Sequence, residues 1–291
     1  MSDSKSAPVS HYWSDLQKHA WDGIWMNEAA VRERINLRVT GDPLVWPIQW
    51  LPTVIPGRTP FARALSIGCG VGHLERSLVD HGIVREITGV DVSPEVLAEA
   101  ARRTAEAGCG DRIAYVAGDA REVLGRTRDL DAVFFHESLH HFDRLSELLG
   151  LVRDALAPGG ILYLDEYVGP ARDEWTWRDL VRWNLVYWSL PRAVRRTRVI
   201  RVPVTDDDPT EAVASSGILP AVSEHFRILA RRDYGGDLLE PIYPSLLRPD
   251  QPNGPSAELF ASVITTLLDR EERMLARGRA RFQTVVVAEA R

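Results

Sequence analysis

Cysteine is nearly missing: the 291-residue chain has two, Cys69 and Cys109. Two dispersed thiols exclude a disulfide framework and a cysteine-based zinc site. Lysine is equally scarce, at Lys5 and Lys18 alone, so nearly every positive charge is arginine. A GC-rich genome accounts for that bias as well as any function does. No apolar run approaches the roughly 18 residues of a membrane span. The opening MSDSKSAPVSHYW lacks the basic-then-apolar order of a secretory leader. An excess of positive charge is also lacking, since 35 Lys+Arg stand against 41 Asp+Glu, which argues against a dedicated nucleic-acid binder. With 45% hydrophobic and 26% charged residues, wholesale disorder is excluded. The expectation is a cytoplasmic protein with no membrane and no nucleic-acid partner.

What is present alternates. Short apolar runs at 64–67, 87–90, 113–116, 130–135 and 161–164 read as strands. Between them 72–81, 93–107 and 142–157 keep a helical period, and Ser93-Pro94-Glu95 supplies a capping hydroxyl, a first-turn proline and an early acid. Continuous apolar strands alternating with helices mean a parallel sheet covered on both faces. After Tyr167 the rhythm changes: an aromatic helix over 172–190, five arginines from Arg192 to Arg201, a strand over 226–230, a proline-punctuated loop over 241–255, a helix from Ser256 and a last strand over 282–287. The predicted organisation is a helical N-terminal arm (1–60), an α/β core (61–167), an aromatic cap insertion (168–225), and returning core strands with a helical insertion (226–291). Nine tryptophans fall at 13, 21, 25, 46 and 50 and at 175, 177, 183 and 188, none in the central segment. They suit a lid that stacks on substrate, the core of the cap, or a subunit interface.

Ile67-Gly68-Cys69-Gly70-Val71-Gly72 follows a strand and opens a helix, where glycines let backbone approach a ligand and N–H groups face it. Asp91 ends the next strand, where a carboxylate can accept both hydroxyls of a ribose. The spacing is GxGxG rather than the GxGxxG of dinucleotide enzymes. Gly118-Asp119-Ala120 ends the third strand and places a carboxylate within reach of an adenine amino group.

With LSIGCGVG, GVDVS, AGDA, LDAVFFHESLHHF and LAPGG in this order, residues 60–166 resemble the class I S-adenosylmethionine (SAM) dependent methyltransferases. That resemblance implies a Rossmann-like, doubly wound, mainly parallel seven-stranded sheet, with SAM as cofactor. By position it implies that Gly68, Cys69, Gly70 and Gly72 flank the methionine part of SAM, Asp91 holds the ribose, Val92 packs on the adenine, and Asp119 with Ala120 meets its amino group. His136 would lie at the cofactor's methyl end. The family usually carries an acid two residues before the first glycine; this chain has Ser66. Arg38 of the N-terminal arm is the candidate to hold the SAM carboxylate instead.

HESLH (136–140) spells the zinc-protease pattern, which needs both histidines on one continuous helix. His136 instead ends an apolar strand, so no metal site is expected. Methyl transfer from a sulfonium is an in-line displacement of an already activated donor, and an attacking alcohol must shed a proton. A histidine near the methyl group therefore points to O-methylation, with His140, slightly ahead of His141, as base. Asp165 and Glu166 at the fifth strand's mouth would assist it, bind substrate hydroxyls, form a divalent site with His136 or His140, or pair with an arginine; Glu166 joins the histidines as a catalytic candidate. The late insertions suit a small-molecule substrate, a specialised metabolite or sugar. N- or C-methylation, a SAM-binding protein that transfers no methyl, and a homo-oligomer all remain open.

Overall fold

A computed structural model describes residues 24–202, 208 and 210–291. Trp13, Trp21 and the start of the expected N-terminal arm lie outside the described residues. The arm continues as α1 (Ala29–Thr40) and α2 (Pro47–Val54). There follow β1 (Phe61–Ile67), α3 (His73–Asp80), β2 (Val84–Asp91), α4 (Pro94–Glu106), β3 (Ile113–Ala117), α5 (Ala120–Arg126), β4 (Leu130–His136), α6 (Leu145–Ala155) and β5 (Leu156–Tyr167). The late part adds α7 (Trp177–Trp188), α8 (Ile218–His225), β6 (Phe226–Gly235), the short α9 (Leu239–Ile242), α10 (Ala257–Leu275) and β7 (Gln283–Ala290).

The sheet has seven strands in the order β3-β2-β1-β4-β5-β7-β6, with β7 antiparallel to both neighbours and the rest parallel. Strand periodicity builds both cores, because successive side chains leave opposite faces. Phe134, Ile161, Tyr163, Val285 and Val287 join α1, α2, α3, α7 and α10 in one cluster. Val133, Phe135, Leu162, Leu164, Val286 and Ala288 join α5, α6 and α8 in the other. The central strands are apolar on both sides, as the unbroken runs require.

The fifth strand departs from expectation. Pro158-Gly159-Gly160, expected to turn the chain, lies inside β5 as an irregularity: Leu130 pairs with Leu156, yet Ala132 already pairs with Ile161. Gly159 takes φ +76° there, a conformation that favours glycine. The aromatic helix is shorter than 172–190 because a reciprocal cap starts it: Thr176 Oγ1 accepts the Asp179 N–H, and the Asp179 carboxylate accepts the Thr176 N–H. The tryptophans of the described residues differ in burial. Trp25, Trp50 and Trp183 are buried, and Trp175 packs edge-on to Trp183 at 4.9 Å. Trp46, Trp177 and Trp188 are exposed. In the arginine run, Arg192, Arg196, Arg198 and Arg201 lie on the surface. Among the described residues no helix is long and apolar enough to cross a membrane.

Candidate active site

The carboxyl ends of β1, β2 and β4 converge beside the glycine loop, the usual binding crevice of a doubly wound sheet. Gly68, Gly70 and Gly72 take φ +66°, +52° and +72°. Two of them are glycine because of protein neighbours: a Cβ on Gly68 would stand 2.6 Å from Ser138 Cβ, and one on Gly72 would collide with the Tyr115 hydroxyl. The Gly70 N–H donates to Asp91 Oδ2 at 3.0 Å, and the Ser93 N–H donates to Asp91 Oδ1 at 3.0 Å. Asp91 thus locks loop to strand end, with a lone pair on each oxygen still available. Burial pushes its carboxyl up, opposed by those N–H groups. Val92, half-buried, follows it. The Cys69 thiol is pushed up by burial and by the charges of Glu75 and Asp91, so it stays protonated and is no nucleophile. Asp119 caps α5, its Oδ1 accepting from Arg121 N–H (2.7 Å) and Glu122 N–H (3.3 Å); Oδ2 is left for a ligand, and Ala120 is buried behind it.

Arg38 does not face this crevice. Its Nε donates to Glu272 on α10 at 2.8 Å, which ties the arm to the late helix instead of to a cofactor.

Beyond β4 the chain turns through Glu137 at φ +51°, a left-handed position uncommon for a side chain larger than glycine. A short 3-10 turn, Leu139–His141, follows. His136 therefore sits on a strand and His140 on a separate turn, which rules out the helix that a zinc protease needs. His136 is exposed, its Nε2 3.9 Å from Asp165 Oδ2.

Glu166 organises this corner. Fully buried, it accepts the Ser138 N–H (2.7 Å) and Leu139 N–H (2.6 Å) on Oε1, while Oε2 bonds His140 Nδ1 at 2.9 Å. Ser138 in turn donates its hydroxyl to the Ile67 carbonyl at 2.7 Å, just before Gly68. Glu166, expected among the catalytic groups, is enclosed and has both oxygens bonded within the 138–141 loop. Asp165, also buried, accepts from the Tyr234 hydroxyl at 2.7 Å. Among the described residues neither acid pairs with an arginine.

The two histidines differ. Burial works against the charge on His140, but the Glu166 hydrogen bond and charge, with Glu211 and Glu137, outweigh it and push the ring up to about 10. At neutral pH His140 already holds a proton and cannot accept one. His141 is held well below the usual range by burial and by the neighbouring His140 charge, so its ring is neutral. His141 Nδ1 lies 3.2 Å from Thr210 Oγ1 and 3.6 Å from Asp208 Oδ2. Both Nε2 atoms face Glu211, at 4.0 Å from His140 and 3.9 Å from His141. His140, His141 and Glu211 bring one ligand atom each within 4.8 Å of one another, a set capable of holding a divalent ion that HESLH alone does not reveal.

Sequence reasoning missed Glu75, Glu137, Asp208, Thr210 and Glu211. For Glu75 a signal existed, since it lies in the buried stripe with Leu74, Leu78 and Val79. For Asp208, Thr210 and Glu211 there was none, because only folding brings them to the 138–141 turn.

The seven-stranded doubly wound sheet thus carries a glycine loop locked to Asp91 at the end of β2 and a His-rich turn beyond β4. Residues 64–160 match the family described as methyltransferase domain. The chain is similar to trans-aconitate 2-methyltransferase of Streptomyces avermitilis, 35% identical over 105 residues, 35% of this chain and 37% of that one. It is also similar to 27-O-demethylrifamycin SV methyltransferase of Amycolatopsis mediterranei, 28% identical over 160 residues, 55% of this chain and 54% of that one. The chain thus spans about half or less of these relatives' lengths. In fold it resembles the [4+2]-cyclase SpnF, with TM-score 0.53 and 17% identity over 97% of this chain and 94% of that one. A similar likeness holds for phosphoethanolamine N-methyltransferase 2 of Haemonchus contortus, with TM-score 0.53 and 17% identity over 96% of this chain and 60% of that one.

Proposed function

We propose that this protein transfers a methyl group from SAM to a hydroxyl of a small molecule, a specialised metabolite or sugar. The observation that carries the cofactor reading is the Asp91 carboxylate, fixed by the Gly70 and Ser93 N–H groups at the mouth of β2. Gly68, Cys69, Gly70 and Gly72 would border the methionine part, Asp91 would take the ribose hydroxyls, and Val92, Asp119 and Ala120 would border the adenine. Held there, SAM would supply an electrophilic methyl carbon on sulfur for an acceptor oxygen. Support for an oxygen acceptor comes from His141, whose neutral ring is suited to take the hydroxyl proton during transfer. His140, already protonated, would orient the pair with Glu166 behind it, and His136 would stand at the exposed lip. The Amycolatopsis relative's name, an O-methyltransferase of rifamycin type, supports the same acceptor class.

A second reading is favoured by one observation: the fold is shared, over nearly the whole chain, by a protein that catalyses a [4+2] cyclisation. Fold does not fix chemistry. Product mass separates the readings, since methyl transfer adds one methyl and cyclisation adds none.

The cofactor assignment is tested with Asp91→Ala. Losing the carboxylate leaves two ribose hydroxyls unpaired, so calorimetry should show SAM affinity weakened by about 1–3 kcal/mol. Unchanged affinity, or a tight NADH complex of the unaltered protein, would overturn it.

A further inference from the structure

Glu75 stands in the first turn of α3, directly after the glycine loop, and is completely buried. Neither of its carboxylate oxygens has a hydrogen-bond partner. Burial pushes this carboxyl up, and the groups that partly offset burial are the Ser66 hydroxyl, its own backbone N–H, His136 and Arg76. Burial outweighs all four. Arg76 spends its Nη1 on the Val71 carbonyl at 2.7 Å, and exposed His136 has Asp165 as its acidic neighbour. A buried carboxylate left in this condition is uncommon in folded proteins unless a ligand completes it.

Its surroundings say which ligand. Ser66 lies at the end of β1, Cys69 in the glycine loop, and His136 at the end of β4. The Glu75 charge is felt by Cys69 and Tyr115. Ser66, Cys69 and His136 stand at or next to the carboxyl ends of β1 and β4, beside the glycine loop. Ser66 is where an acid is usual in the superfamily, so β1 offers this end of the crevice no charge.

We propose that Glu75 binds the α-ammonium group of the cofactor's amino-acid end, supplying from α3 the carboxylate that β1 lacks. The assignment rests on the SAM reading above and adds a residue to it. The other positive charge of SAM, the sulfonium, has to face the acceptor beside His141, which leaves the ammonium for Glu75. The carboxylate and ammonium would complete each other in a dry site, where a charge-assisted hydrogen bond is strong.

The test uses ligands that separate the ammonium from the rest. S-adenosylhomocysteine carries the ammonium but no sulfonium; its deaminated analogue keeps the chain and carboxylate; 5′-methylthioadenosine carries neither ammonium nor carboxylate. By calorimetry, Glu75→Gln should weaken S-adenosylhomocysteine about tenfold or more while leaving 5′-methylthioadenosine within about threefold. Removing the amino group from the ligand should cost the wild-type protein a similar factor and cost Glu75→Gln nothing further. The ligand-free variant should melt at the wild-type temperature or above, because an unpaired buried charge has been removed. Equal weakening of both thioethers, or no weakening of S-adenosylhomocysteine, would overturn the assignment. If Glu75→Gln does not fold, the wild-type comparison decides alone: a deaminated analogue that binds as well as its parent removes the role. A wild-type protein that binds none of the three ligands defeats the SAM reading itself, a result distinct from these.

Discussion

Replacing Glu166 with Gln tests whether this buried carboxylate holds the 138–141 corner through its charge. Gln keeps an oxygen for the Ser138 and Leu139 N–H groups, at 2.7 and 2.6 Å in the wild type, but replaces the oxygen that bonds His140 Nδ1 at 2.9 Å. Breaking one side of a buried ion pair costs about 3–5 kcal/mol. His140 can limit the loss by giving up its proton, so about 3 kcal/mol is expected. Glu166→Ala would also orphan two buried N–H groups at about 1–3 kcal/mol each, enough to threaten folding outright. Urea unfolding of wild type and Glu166→Gln at two pH values provides the assay. The folded His140 ring binds its proton more tightly than the unfolded one, being pushed up to about 10. Its stabilisation is therefore complete below the unfolded value near 6.5 and disappears as pH rises through about 10. The two proteins should differ most at pH 6 and converge by pH 10.5. Identical unfolding midpoints at pH 6, or a gap that stays constant with pH, would refute the reasoning.

Three further expectations concern the same region and its surroundings. His141→Gln should lower kcat by about 10²–10⁴ with SAM affinity within a few fold, and its pH–rate profile should lose the acidic limb; near-full turnover would leave alignment alone as the source of catalysis. Dialysis against a chelator should leave SAM binding and turnover unchanged, whereas activity lost and then restored by one divalent ion would make His140, His141 and Glu211 its ligands. Burial pushes Glu240 up to about 8 and Glu271 up to about 7. Both bind protons more tightly when folded, so their contribution is complete below about 4.5 and is lost through 7 and 8. The melting temperature should fall between pH 5 and 8.5, and Glu271→Gln should flatten part of that fall.

Strands β1 to β4 were legible because each is a short apolar run bounded by glycine, proline or acid, and burial on both faces demands just that pattern. The start of β5 was not, because Pro158-Gly159-Gly160 carries turn chemistry that the sheet absorbs as an irregularity. Asp91 and the glycines could be read from order and spacing. Their detailed reasons could not: Gly68 is small for Ser138, a residue seventy positions away, and Gly72 for Tyr115. Composition could suggest that His140 and His141 share a site, but their opposite protonation comes from Glu166, Glu211 and burial, which only tertiary packing supplies. Arg38 looked free in the sequence because its partner, Glu272, comes from a helix near the other end of the chain.

The sheet is completed by insertion. β5 ends at Tyr167, yet the strand that bonds its outer edge starts at Gln283 and enters reversed between β5 and β6. During synthesis everything from Val168 to Phe282 must leave the ribosome before that edge can be closed. Over this interval the twelve-residue strand, apolar from Ile161 to Leu164, offers its backbone to any neighbouring chain. An edge left open for that long has to be shielded while the chain is completed, a demand separate from the stability of the finished sheet.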